Sequence, residues 1–141
     1  GAEGAFANNG LYNVDGKGGY PTADLGLRSV TNRPEDEGRF RIPSLRNVTV
    51  TKPYMHDGSV ETLDEVLSAY ARGGRNLTSG PFAGDGATSP NKHPAVAGFE
   101  LSRAERSDVL AFLESLTDLS FTTRPDLVDP FAPSSGQPSM E

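Results

Sequence analysis

The sequence predicts a mainly α domain of few short helices joined by long loops, and three observations carry that prediction. Two segments, 62–72 and 102–117, open with Thr or Ser followed three residues later by Glu, and continue with apolar residues at three- and four-residue steps. Around them, 16 Gly and 11 Pro in 141 residues interrupt every other candidate for a long element. Only 35% of the residues are hydrophobic and Trp is absent, so something besides the chain's own side chains is expected to fill part of the interior.

Taken in order, residues 1–37 show little periodicity. Asn8-Asn9-Gly10, Asp15-Gly16 and Gly18-Gly19 are turn signals, and Leu11, Tyr12 and Val14 make at most a short extended piece. The glycines lack the G-x-x-x-x-G-K-[ST] spacing of a phosphate loop, which leaves a surface loop as the reading. Thr22–Leu27 and Arg33–Glu37 look like turns or a single helical turn.

Phe40, Ile42, Leu45, Val48 and Val50 then anchor an irregular stretch that Pro43 and Pro53 keep from becoming a long helix. Ser44 is placed to cap a short turn running to Val48. The turn Tyr54-Met55-His56-Asp57-Gly58 leads into the clearest helix, where Thr62 and Glu65 form a capping box. Leu63, Val66, Leu67 and Tyr70 share one face of that helix, and Gly73-Gly74 supplies a left-handed stop. Arg75–Gly98 returns to loop. The second helix starts at Ser102, with Val109, Leu110, Phe112, Leu113 and Leu116 as its expected buried stripe. The final twenty residues hold four Pro and no period, so residues 122–141 are expected to form an extended tail behind a domain spanning 1–121. Two helices alone bury both apolar faces poorly, and the chain reads as part of something larger. Its start, Gly-Ala-Glu-Gly without an initiator Met or signal peptide, suggests the same.

Charge and composition narrow the chemistry. A net charge of −6 argues against a nucleic-acid partner, because phosphate binding needs a basic face. No apolar run is long enough to span a membrane. The absence of Cys removes thiolate metal sites, Cys nucleophiles and a C-x-x-C-H covalent haem attachment within this chain.

Only two histidines are present, and neither sits in H-E-x-x-H or a Cys/His zinc pattern. No G-x-S-x-G elbow supports a serine triad. A lone His in a turn, such as His56, is more often a hydrogen-bonded structural residue than a ligand, and the same holds for His93 ahead of Pro94. On spacing alone Tyr70 is a core tyrosine whose hydroxyl finds a partner; the alternative is an axial ligand to a haem iron. Met55 either fills a gap or touches a haem edge.

The runs Phe40-Arg41-Ile42-Pro43-Ser44-Leu45-Arg46-Asn47-Val48, Thr51-Lys52-Pro53-Tyr54-Met55-His56-Asp57-Gly58-Ser59 and Thr62-Leu63-Asp64-Glu65-Val66 resemble the C-terminal haem domain of bacterial di-haem cytochrome c peroxidases, a family shared by MauG and the MbnH-like enzymes. Phe99-Glu100-Leu101-Ser102 with Glu105, Leu110, Ala111, Phe112, Leu113, Leu116 and Thr117 is similar to that family's closing helix, and Asn9-Gly10-Leu11-Tyr12 to the segment after its haem attachment. The likeness covers roughly residues 6 to 120.

The resemblance implies a cytochrome c-like fold and haem c as cofactor. It places Tyr70 at the second axial position of the iron, the Tyr-ligated branch of the family. It implies calcium held by the backbone carbonyls of Thr51 and Pro53, Arg46 beside a haem propionate, Met55 at the haem edge, and His56 anchoring the loop there. The family's C-x-x-C-H motifs are absent, so the covalent haem links and proximal histidines would lie outside this chain, as would the N-terminal haem-bearing portion where peroxide reacts. The implied whole is a periplasmic peroxidase-type oxidoreductase that uses hydrogen peroxide to oxidise a protein or small-cytochrome donor. The alternatives are a mono-haem electron-transfer module and a haem-free interaction domain.

Overall fold

A computed structural model describes residues 5–124. Among the described residues α-helix is confined to α1 (Arg28–Thr31), α2 (Leu63–Arg72), α3 (Arg103–Ser115) and α4 (Leu119–Thr122), and single 3-10 turns occur at Pro34–Asp36, Val48–Val50 and Gly86–Thr88. Strand among the described residues is limited to four two-residue pieces. Strand β1 (Phe6–Ala7) pairs antiparallel with β2 (Phe40–Arg41), placing Phe6 opposite Arg41. Strand β3 (Asn76–Leu77) pairs with β4 (Gly84–Asp85). Loops join everything else, as the Gly and Pro content requires, and no helix among the described residues is long and apolar enough to cross a membrane. Most of the tail expected at 122–141 lies outside the described residues.

Both long helices begin as the sequence predicts. Thr62 accepts the Glu65 N–H through its hydroxyl while the Glu65 carboxylate accepts the Thr62 N–H, and Ser102 and Glu105 repeat the arrangement at α3. Each pair satisfies two amides that the first turn would otherwise leave orphaned. Helix α2 stops at Gly73, whose φ of 82° is left-handed and admits no side chain without strain. Its last carbonyls are taken up by neighbours: the Phe99 N–H donates to Ala71 O at 2.9 Å. The Lys92 ammonium donates to Gly73 O at 2.7 Å and Ala87 O at 2.9 Å, a cation where the helix dipole is negative.

Across the two helices, Arg106 of α3 clamps the start of α2. Its Nε donates to the Asp64 carboxylate and its Nη2 to Asp64 O and the Ser68 hydroxyl. The hydrogen bond from Arg106 holds the Asp64 carboxyl below its ordinary value. Of the predicted α3 stripe, Leu113 is buried and Val109, Leu110 and Leu116 are half-buried, but Phe112 is 58% exposed. Phe112 lies at the margin of the stripe, and α2 covers only one side of it.

The core sits where the sequence showed least. Leu11, Tyr12 and Tyr20 are the central buried cluster, with Val14, Leu25, Phe40, Met55 and Leu77 packed against it. Leu11–Val14 forms no strand; its backbone is fixed by side chains instead. Asn8 accepts from the Gly10 N–H and the Tyr20 hydroxyl and donates to Glu37 O. Asn13 accepts from the Gly18 N–H and donates to Asp85 O and Thr88. These two asparagines replace the ladder bonds that a strand would have made. The expected surface loop at 15–19 is a tight turn whose Asp15 carboxylate accepts the N–H groups of Lys17 and Gly19.

Three backbone segments meet in one layer behind α2. The Arg75 N–H donates to Gly10 O and the Gly86 N–H to Arg75 O, both at 2.8 Å. A Cβ on Gly86 would stand 1.8 Å from Gly10 O. Gly86→Ala should therefore cost about 3 kcal/mol or more, since rigid backbone has to move aside, whereas Ser102→Ala should cost about 1 kcal/mol through loss of one cap. Denaturant titration of both variants checks the order; equal losses would contradict the backbone contact.

Candidate functional site

One face of this scaffold is an apolar cavity of about 620 Å³. The β1–β2 pair contributes Ala7 and Phe40, the Pro-bounded loop contributes Ile42, Pro43, Leu45 and Val48, and α2 presents Leu63, Val66 and Tyr70, with Leu113 of α3 behind. The stripe that the capping box and the 3-4 spacing predicted for α2 thus has two destinations. Leu67 is buried in protein, while Leu63, Val66 and Tyr70 face the cavity. At its edge Ile42 and Leu45 are 56% and 51% exposed. Apolar walls of this extent are costly against water, and a flat apolar ligand would dry them.

The loop wall is held in register by Asn47. Its φ of 58° is left-handed, a conformation Asn tolerates better than most residues. Its N–H donates to Leu116 O at 3.1 Å and its Oδ1 accepts from the Asp118 N–H at 2.7 Å. The Thr49 and Thr117 hydroxyls meet at 2.6 Å. These bonds fasten the loop carrying Leu45 and Val48 to the end of α3.

Of the residues singled out in the sequence, Tyr70, Met55, His56, Thr51 and Pro53 all line the cavity. The Tyr70 hydroxyl has no hydrogen-bond partner among the described residues, so the partner required by the core-tyrosine reading is not supplied by them. Met55 takes a left-handed φ of 70°, and its sulfur accepts a hydrogen bond from Asn9 Nδ2 at 3.4 Å. Arg46 is exposed and does not line the cavity; its N–H donates to the Ser44 hydroxyl at 3.2 Å. Arg41 does line it. His93 lies away from the cavity, its N–H donating to Asn8 O and its Nδ1 accepting from the Ala95 N–H. Among the described residues no cluster of three or more His, Cys, Asp or Glu side chains is placed to hold a metal ion.

The chain's backbone is open to solvent at His56, yet its side chain is 15% exposed and lies flat on Phe40, with ring centroids 3.5 Å apart and an interplanar angle of 11°. Its Nε2 stands 3.5 Å from the Asp24 carboxylate. Burial pushes the imidazole pKa below its usual value, against the opposing pull of Asp57 and Asp24, so the ring is neutral at pH 7. Next to it, Asp57 accepts a hydrogen bond from the Tyr12 hydroxyl at 2.6 Å and from the Ser59 N–H at 3.0 Å. Burial disfavours the Asp57 carboxylate, but the bonds from Tyr12 and Ser59 outweigh it and the pKa is lowered.

The sequence marks Phe40 as an apolar anchor and Asn9 as part of a turn, both within family-like runs, but gives neither a partner. Their contacts with His56 and Met55 join residues 16 and 46 positions apart, for which a single sequence carries no signal.

No protein-family model matches the chain. Among curated proteins, it is 40% identical over 101 residues to the cytochrome-c peroxidase IdrP1 of Denitromonas iodatirespirans, covering 70% of this chain and 24% of that protein. It is 39% identical over 77 residues to the methylamine utilization protein MauG of Methylorubrum extorquens, covering 55% of this chain and 18% of the relative. The chain spans about a quarter of the length of the curated relatives it matches first. Among solved structures, the crystal structure of a MauG-like protein associated with microbial copper homeostasis matches with a TM-score of 0.85 and 51% identity, covering 89% of this chain and 36% of that one.

The neutral, part-buried His56 has a testable consequence. With a folded pKa below the unfolded 6.5, the unfolded chain takes up the proton first as pH falls, so stability should decline from pH 6.5 down through the folded value. Because the ring is only partly enclosed, the effect should be small. Urea midpoints of the native protein and His56→Gln, compared from neutral to acid pH, should show a shallower decline in the variant.

Proposed function

We propose, from the premise that this chain belongs to the cytochrome c peroxidase and MauG family, that it is the C-terminal haem domain of a periplasmic di-haem oxidoreductase that uses hydrogen peroxide to oxidise a protein or small-cytochrome donor. The observation that carries the reading is Tyr70: a phenol oxygen with no protein partner among the described residues, on the wall of a mainly apolar 620 Å³ cavity.

The residues present fit a haem. When bound, the haem would supply one-electron redox chemistry. Tyr70 would offer its phenolate oxygen to the iron, a hard anionic ligand that favours the oxidised metal. Ile42, Pro43, Leu45, Val48, Leu63 and Val66 would exclude water from the porphyrin faces, which strengthens every charge interaction inside. Met55 and His56 would meet the macrocycle's edge, with His56 held by its stack on Phe40. Arg46 would reach a propionate from the exposed loop, and Arg41, already on the cavity wall, is a second cation available for that carboxylate. The carbonyls of Thr51 and Pro53 would hold calcium. The cysteine tethers, the proximal histidine and the haem at which peroxide reacts would be supplied by sequence beyond these 141 residues.

Two experiments on the complete enzyme test the proposal. Tyr70→Phe should change the absorption spectrum and reduction potential of one haem and leave the other as it was; an unaltered spectrum removes Tyr70 from the iron. Chelation should lower peroxidase activity, and added calcium should restore it. Full activity in protein shown to be calcium-free would rule out the site at Thr51 and Pro53. A protein with no Soret band would instead be the haem-free interaction domain.

A further inference from the structure

A file of aromatic rings leads away from the cavity into the core. His56 and Phe40 line the cavity. Tyr20 lies behind both, with ring centroids 6.3 Å from His56 and 6.0 Å from Phe40. Tyr12 meets Tyr20 edge to face at 5.6 Å, and Phe82 meets Tyr12 at 5.7 Å. Phe82 is 42% exposed, while Tyr12 and Tyr20 are 6% and 4% exposed. Adjacent rings in such a file are near enough for an electron to pass stepwise, and phenols are the members most easily oxidised.

The two phenols differ in what their protons can do. The Tyr20 hydroxyl donates to Asn8 Oδ1 at 3.1 Å, an amide oxygen that also accepts the Gly10 N–H and is no base at neutral pH. The Tyr12 hydroxyl donates to Asp57 Oδ2 at 2.6 Å, an ionised carboxylate in a short charge-assisted bond. Loss of an electron makes a phenol strongly acidic, so a phenol oxidises readily only where a base can take its proton. Tyr12 has such a base and Tyr20 has none.

We propose that Tyr12 is a redox-active residue that holds one oxidising equivalent away from the cavity, connected to it through Tyr20 and the His56–Phe40 stack, with Asp57 as its proton acceptor. In the step, one electron leaves Tyr12 and reduces by one unit a one-electron oxidant seated in the cavity, of the class of a peroxide-oxidised haem. The Tyr12 O–H bond breaks, the proton moves to Asp57 Oδ2, and a neutral phenoxyl remains, shielded from solvent by Phe82. The inference rests on the haem reading above for its oxidant, but its residues and geometry are separate from the Tyr70 ligand.

The test mixes the complete haem-loaded enzyme with hydrogen peroxide, freezes it within milliseconds to seconds, and records both the haem absorption and the electron paramagnetic resonance spectrum. The expected result is a tyrosyl radical that narrows with ring-deuterated tyrosine, is lost in Tyr12→Phe, and is lost or strongly reduced in Asp57→Asn although the phenol remains. Radical trapping in the unmutated protein gives an independent location. Within this chain the tryptic peptide ending at Lys17 contains Tyr12 and no other tyrosine, so a nitroso adduct belongs on that peptide. A radical that persists unchanged in Tyr12→Phe, an adduct confined to the peptide carrying Tyr20, or haem that reacts with peroxide and yields no tyrosyl radical would overturn the assignment of Tyr12 and leave the haem reading standing. Protein without bound haem would overturn both.

Discussion

The described part of this chain is arranged around an apolar wall that the described residues leave uncovered. Helices α2 and α3 meet along one line, clamped by Arg106 on Asp64 and Ser68. On these helices Leu67 and Leu113 are buried, while Leu63, Val66 and Tyr70 line the cavity. In a self-sufficient domain the same residues would be the centre of the core. On the proposed reading a haem would cover them, and the low hydrophobic content and the long loops would then be parts of one design, a frame whose interior the ligand completes.

Polar side chains and backbone contacts do the work that regular structure would otherwise do. Asn8 and Asn13 satisfy the loop amides around Leu11 and Tyr12, and Gly86 lets three strands of backbone lie closer than any side chain would permit. Such a frame is positioned by directional bonds, which fixes the cavity wall more sharply than a soft apolar core of few residues would.

The two long helices, their capping boxes, the Gly73 stop and the chemistry-bearing turn were legible because each is local: spacing and cap residues encode them within a dozen positions. The cytochrome peroxidase likeness was legible for a similar reason, since its motifs are short and contiguous. The core at Leu11, Tyr12 and Tyr20 was not, because turn signals say where a chain bends and not which of its residues are buried by distant segments. The exposure of Phe112 was hidden as well: periodicity gives the centre of a stripe, while the packing partner decides its width. The stack of Phe40 on His56, the Asn9 bond to Met55 and the pairing of Tyr12 with Asp57 each join residues that are far apart in sequence.

Asn47 gives the architecture a mechanical property. Because its backbone and side chain both grip the segment just past α3, the Leu45–Val48 wall cannot shift without dragging Leu116–Asp118 along, nor can that segment be pulled without deforming the wall. A strain applied to the end of α3 would thus reach the cavity wall at a distance, through Asn47 and the Thr49–Thr117 hydroxyl contact beside it.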